Sequence, residues 1–257
     1  MKIQIRSPFF EIGIKNYLYG DDVLRLAFAA DQAAIENDID VLFICPYTEI
    51  RRVSESTKRL IVLAPYMDLL PPGRGLAAVL PEAIKAAGAK GVVVNHCERP
   101  MSLSQIKKTI EKAHALDMFV FACADSLAEA KAIACLGPDI INPEPTELIG
   151  TGQISSTDYI LQSTDLVHQM DPDILVEQAA GITTEEQVFQ MICSGAQGVG
   201  VSSGIASTKD PCTAARKMIH AVRRACDTLK EEKKFETLPG NNPITVHRTA
   251  SVFSFNH

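Results

Sequence analysis

Eight short apolar runs recur along the chain, and most are apolar throughout rather than at alternate positions. They occupy residues 9–14, 41–45, 60–64, 91–94, 118–122, 139–141, 174–176 and 198–201. A strand that is apolar on both faces must be covered on both faces, which predicts a parallel sheet flanked by helices. Helical patterns lie between most of the runs, over 21–37, 81–87, 103–116, 126–136, 155–170 and 184–194, with a last helix over 211–233. Eight strand–helix units in a chain of this length predict a (β/α)8 barrel. The competing architecture, a doubly wound open sheet, often carries a Gly-rich loop after its first strand, and none follows Lys15. Local signals mark the helix ends. Ser126 with Glu129, and Thr184 with Glu185 and Glu186, offer N-caps with acids in the first turn. Gly88, Gly137 and Gly195 stand where helices must stop.

The 257 residues are 46% hydrophobic, enough for one sizeable core. Net charge is −6, and the densest basic cluster, Lys230-Glu231-Glu232-Lys233-Lys234, is mixed in sign, so no nucleic-acid partner is expected. No run of apolar residues is long enough for a membrane span. Residues 1–6 alternate like a strand and lack a signal-peptide core. Seven cysteines without Cys-x-x-Cys or zinc spacing suggest a reducing cytoplasm and no structural metal. Cys45, Cys123 and Cys193 lie in apolar stretches and read as small core residues. The repeating pattern ends near residue 234. We therefore expect a barrel over 1–234 and a C-terminal extension over 235–257. Phe253 and Phe255 would be costly to leave wet, so the extension is expected to pack on the barrel or on a neighbouring subunit.

In such a barrel the C-terminal ends of the strands line one mouth, and that mouth holds the site. Polar residues at those ends are Lys15, then Asn95-His96-Cys97-Glu98, then Glu144, then Thr183, then Ser202-Ser203-Gly204. Taken singly, each has a bland reading as a surface lysine, a rim histidine, an ion-pair acid or a turn. Convergence of all of them on one mouth is harder to explain as chance. The stretch 139–152 is the most informative. It starts as an apolar run, places Glu144 between two prolines, and ends in a loop bracketed by Gly150 and Gly152. Prolines on both sides restrict the backbone around the acid. A base beside a loop that can close and exclude water is what proton abstraction from carbon requires.

Asn95-His96-Cys97-Glu98-Arg99, the segment from Glu144 to Gly152, and Ser203-Gly204 resemble triosephosphate isomerase, most closely its short archaeal-type branch. The resemblance covers roughly residues 9–228 and implies a TIM barrel that interconverts a phosphorylated ketose and aldose. It implies Glu144 as the base, His96 as a neutral electrophile, Lys15 as a cation near the substrate oxygens, and Glu98 as an ordering acid. Gly150, Thr183, Ser203 and Gly204 would hold the phosphate. It implies no metal and no organic cofactor, a homodimer or homotetramer, and a small phosphorylated sugar as ligand. The sequence departs from the family in several places. Gly13 stands where an Asn precedes the lysine, opening room that a longer substrate such as a tetrulose phosphate could use. Cys97 stands where Ser is usual. Gly73-Arg74-Gly75-Leu76 replaces the Gly-x-x-Thr-Gly assembly loop, and Gln178-Ala179 replaces smaller residues. These departures keep two other readings open, a non-catalytic barrel that binds a phosphorylated metabolite and a Schiff-base lyase using Lys15.

Overall fold

The computed structural model describes residues 4–236, with side chains as far as residue 231. Eight parallel strands close into a barrel in sequence order: β1 (Phe9–Gly13), β2 (Val41–Ile44), β3 (Ile61–Ala64), β4 (Gly91–Val94), β5 (Phe119–Ala124), β6 (Ile140–Pro143), β7 (Leu175–Gln178) and β8 (Gly198–Val201). Closure is made by β1 against β8, with Phe9 opposite Gly198 and Glu11 opposite Gly200. The helices are α1 (Asp21–Asn37), α2 (Tyr47–Ser56), α3 (Pro81–Ala86), α4 (Leu103–Ala115), α5 (Leu127–Ala134), α6 (Thr157–His168), α7 (Glu185–Cys193), α8 (Ser203–Ala206) and α9 (Pro211–Glu236). This is the expected (β/α)8 TIM barrel. No described helix is long and apolar enough to cross a membrane, and the described residues form no disulfide.

Alternation of strand side chains divides the apolar residues into two sets. Phe9, Leu42, Leu63, Val93, Phe119, Phe121, Cys123 and Ile140 fill the barrel interior. Phe10, Ile12, Val41, Phe43, Val62, Val92 and Val120 point outward against the helices. Burial of both sets accounts for strands that are nearly apolar throughout. A fully buried Phe such as Phe9 contributes roughly 1.5–3 kcal/mol through lost water contact. Its ring lies over Gly198, where an added Cβ would meet it at 2.2 Å; the Phe119 ring covers Gly91 in the same way, at 2.7 Å.

Two helices were not visible in the apolar pattern. Helix α2 buries only Glu49, Ile50 and Val53, too few to mark a stripe. Helix α8 is four residues long, and its Ser203-Gly204 start reads in sequence as a turn. The N-terminal strand expected from residues 1–6 does not form over the described part. Residues 4–6 are irregular, and Arg6 instead hydrogen-bonds Asp38 and Asp40 across the closed end of the barrel. Arg59 joins the same two carboxylates. The extension over 235–257 lies outside the described residues, apart from the last residues of α9.

The capping signals act as expected. Gly88, Gly137 and Gly195 all have positive φ, at 103°, 73° and 103°. The Ser126 hydroxyl accepts from the Glu129 N–H. Thr184 forms a capping box, accepting from the Gln187 N–H at 3.3 Å while the Gln187 side-chain oxygen accepts from the Thr184 N–H at 3.1 Å. Thr184→Ala should cost about 1 kcal/mol in urea unfolding. An unchanged midpoint would show that the box contributes nothing.

Candidate active site

Three non-glycine residues at the barrel mouth hold left-handed backbone: Lys15 (φ 46°), Asn95 (φ 57°) and Ala180 (φ 68°). Each such conformation costs on the order of 1–3 kcal/mol and persists only where surrounding contacts impose it. For Asn95 those contacts are visible. Its side-chain amide donates to the Cys123 carbonyl at 3.0 Å and to Glu129 at 3.1 Å, and its oxygen accepts from the Met101 N–H at 2.8 Å. The end of β4 is thereby locked, and His96 follows directly.

A cavity of about 460 Å³ opens at this mouth, lined by Lys15, His96, Glu98, Glu144, Gly150, Thr183 and Ser203 among others. All but one of the residues expected from sequence therefore line one hollow. The exception, Gly204, is buried directly behind it against Ile182 and Thr183 of the seventh loop. A His96 ring nitrogen, the Cys97 sulfur and a Glu144 carboxylate oxygen lie within 4.8 Å of one another. The imidazole and the carboxyl group, 48 positions apart in sequence, thus face each other.

The protonation states follow from the surroundings. Burial pushes the Glu144 carboxyl above its ordinary value, against the opposing charge of Lys15. Burial, and then the Lys15 charge, hold His96 below its ordinary value. Its Nδ1 accepts the Glu98 backbone N–H at 3.1 Å, which leaves the proton of the neutral ring on Nε2. Burial lowers the Lys15 pKa, but the Glu98 carboxylate, 2.7 Å from Nζ, outweighs it and leaves the net shift upward. A Schiff-base lysine needs the opposite shift, so the lyase reading loses its physical support.

The sixth and seventh loops interlock through residues that sequence alone did not single out. The segment after Glu144 makes one 3₁₀ turn, Thr146–Leu148, and the Thr151 hydroxyl donates to the Leu148 carbonyl. Gln187 ties this loop to the seventh, donating to the Gly152 carbonyl at 2.9 Å while accepting from the Thr183 and Thr184 N–H groups. Tyr159 donates at 3.0 Å to the carbonyl of Pro143, directly before Glu144 in the chain. Gly181, with φ 68°, packs so tightly that a Cβ there would lie 1.8 Å from the Gln153 carbonyl oxygen. Gly181→Ala should therefore destabilise the protein by roughly 2–3 kcal/mol and loosen both loops. A thermal melt and a phosphate-ligand titration would each register the change. In sequence, the Gly after two alanines was the available signal.

The family model "Triosephosphate isomerase" matches residues 12–222. The chain belongs to the triosephosphate isomerase family. Relatives named triosephosphate isomerase include one from Methanobacterium bryantii, 30% identical over 221 residues, covering 84% of this chain and 97% of the relative. One from Methanoculleus marisnigri is 33% identical over 218 residues, with 83% and 98% covered. A third, from Saccharolobus solfataricus, is 31% identical over 226 residues, with 86% and 99% covered. Membership makes the chain an isomerase, an intramolecular oxidoreductase.

One expectation drawn from the triosephosphate isomerase likeness needs correcting. The space beside Gly13 is not simply free: Gly13 lines the cavity, but a Cβ there would lie 2.8 Å from the Glu11 Oε1 atom. The carboxyl group of Glu11 takes part of the room that a side chain at position 13 would need. Glu11, Glu177 and Asn142 carry the buried polar groups of the barrel interior, and all three went unremarked in the sequence. Their only signal was a polar residue inside an apolar run, for Glu11, or directly after one, for Asn142 and Glu177.

Proposed function

We propose that this chain is an aldose–ketose isomerase acting on a short phosphorylated sugar through an enediolate. The observation that carries this reading is the placement of Glu144 and His96 across one cavity, with Lys15 fixed beside them by Glu98. The Glu144 carboxylate takes a proton from the carbon next to the carbonyl. The carbonyl oxygen gains charge, which the His96 Nε2–H and the Lys15 ammonium stabilise. The hydroxyl proton on the carbon that becomes the new carbonyl passes to the former carbonyl oxygen, and Glu144, now protonated, returns its proton to the former carbonyl carbon, which completes the 1,2 shift.

The phosphate is held at the other end by backbone donors. In α8 the first internal bond is donated by the Ile205 N–H, to the Ser202 carbonyl, so the Ser203 and Gly204 N–H groups are free to meet an anion. Gly150 on the lid and Thr183 on the seventh loop complete the grip. A net acidic protein can hold a dianion in this way without a basic patch.

Because Glu144 must be ionised to act and burial raises its pKa, the acid limb of the kcat/KM profile should lie above the ordinary carboxylate range. A limb in the ordinary range would remove Glu144 as the titrating base. The direct assay follows dihydroxyacetone phosphate and longer ketose phosphates for aldose formation, with Glu144→Gln as control. The same assay separates this reading from a barrel that binds such a ligand without turnover. Cytoplasmic location and a homodimer or homotetramer complete the proposal, with residues 235–257 contributing to assembly. Sedimentation of a chain ending at residue 236 tests that contribution, and an unchanged oligomer would count against it.

A further inference from the structure

The barrel interior directly beneath the reacting groups is polar, which the fold does not require. Barrel interiors are ordinarily filled by layers of branched apolar side chains. Here Glu11 from β1, Asn142 from β6 and Glu177 from β7 are 7%, 4% and 0% exposed. Glu11 Oε1, Asn142 Oδ1 and both Glu177 carboxyl oxygens are buried without a hydrogen-bond partner among the described residues. Glu11 and Asn142 line the catalytic cavity. Glycine makes room for the acids. A Cβ on Gly200 would lie 2.6 Å from Glu11 Oε2 and 3.0 Å from the Glu177 carboxyl, so both acids crowd one point that only a side-chain-free strand leaves vacant. Buried polar groups left unpaired are costly, and their presence in a cavity wall signals a ligand that pairs with them.

We propose that Glu11 and Asn142, backed by Glu177, form a hydroxyl-binding subsite at the cavity floor that selects ketose phosphates of four carbons over three. This rests on the isomerase reading and names its substrate class. With the phosphate held by the loops at the mouth, an added carbon carries the far end of the sugar one step deeper. Glu11 lies four positions before Lys15 along β1, on the inward-facing side, where a sugar hydroxyl can reach it. A hydroxyl both donates and accepts, and it matches an acid pair that holds a proton. Burial, and then the charge of neighbouring acids, raise the pKa of Glu11 and of Glu177. A three-carbon substrate leaves the floor unpaired.

The test compares kcat/KM for dihydroxyacetone phosphate and for a tetrulose phosphate in the wild type, Glu11→Gln and Glu11→Leu, with melting curves recorded for each. The wild type should favour the four-carbon substrate by roughly tenfold or more. Glu11→Leu should bring the ratio near unity, and Glu11→Gln, which keeps hydrogen-bonding atoms, should give an intermediate ratio. A merely structural role would lower both substrates together and leave the ratio unchanged. A wild type that prefers three carbons, or a ratio that neither variant moves, overturns the subsite while leaving the isomerase intact. Absence of turnover on both substrates, in wild type as in Glu144→Gln, overturns the isomerase reading and the subsite with it. Should Glu11→Leu not fold, a fall in the ratio for Glu11→Gln decides the matter alone.

Discussion

Glu144→Gln is expected to lower kcat/KM by about 10³-fold, within the range of roughly 10²–10⁴ that a positioned base contributes. Gln has nearly the shape of Glu, so the fold, the cavity and the phosphate grip should survive. What it lacks is a lone pair basic enough to take a proton from carbon. On the proposed mechanism the loss should fall mainly on kcat, because a base acts in the transition state while the loops would carry ground-state binding. A coupled assay of wild type and variant on the preferred ketose phosphate reads both constants. Retention of more than about a tenth of wild-type kcat would mean that another group is the base. Isotope exchange from heavy water into substrate, present in wild type and absent in the variant, would place the defect at proton abstraction from carbon itself.

The second large effect concerns stability. Burial, and then the nearby charge of Glu144, push Glu11 up to about 8 from its ordinary 4.5. The folded state therefore holds a proton that the unfolded chain releases. The associated stability is fully present below pH 4.5 and is lost as pH rises toward 8 and through it. The predicted loss is roughly 2–4 kcal/mol, taking 1.4 kcal/mol per unit and discounting for water entry and relaxation. Glu11→Gln carries no proton to lose, so its stability should vary less with pH, and above about pH 8 it should exceed the wild type. Urea melts of both proteins at about pH 5 and about pH 9 measure this difference. Parallel curves would show that Glu11 is solvated, and an unsolvated acid pair is what the proposed floor subsite depends on.

The convergence of the candidate residues on one mouth was legible in sequence where chemistry and backbone agreed. Glu144 lay between prolines at the end of a buried run, and His96 and Glu98 followed a Val-rich strand, so their place at the mouth followed from the strand count. Ser203 was placed at the mouth in the same way, while Gly204 lies behind the cavity and the short helix they open was not legible. Glu11, Asn142 and Glu177 escaped because strand alternation does not say how deep an inward residue sits or what stands across the barrel. Gln187 escaped because a helix-capping amide looks the same whether or not it also ties down a lid.

Periodicity and burial on both faces were enough to specify eight parallel strands, since covering both surfaces of such strands leaves few architectures. Motif spacing was enough to nominate Glu144, His96 and Lys15 as candidates that share one cavity. Only the closed barrel decided that Glu11 takes part of the space beside Gly13, that Glu177 stands behind it, and that both rely on the bare backbone of Gly200. Those relations join β1, β7 and β8, which meet only when the sheet closes. Contacts across that seam depend on register and barrel radius, which no local pattern in the chain encodes.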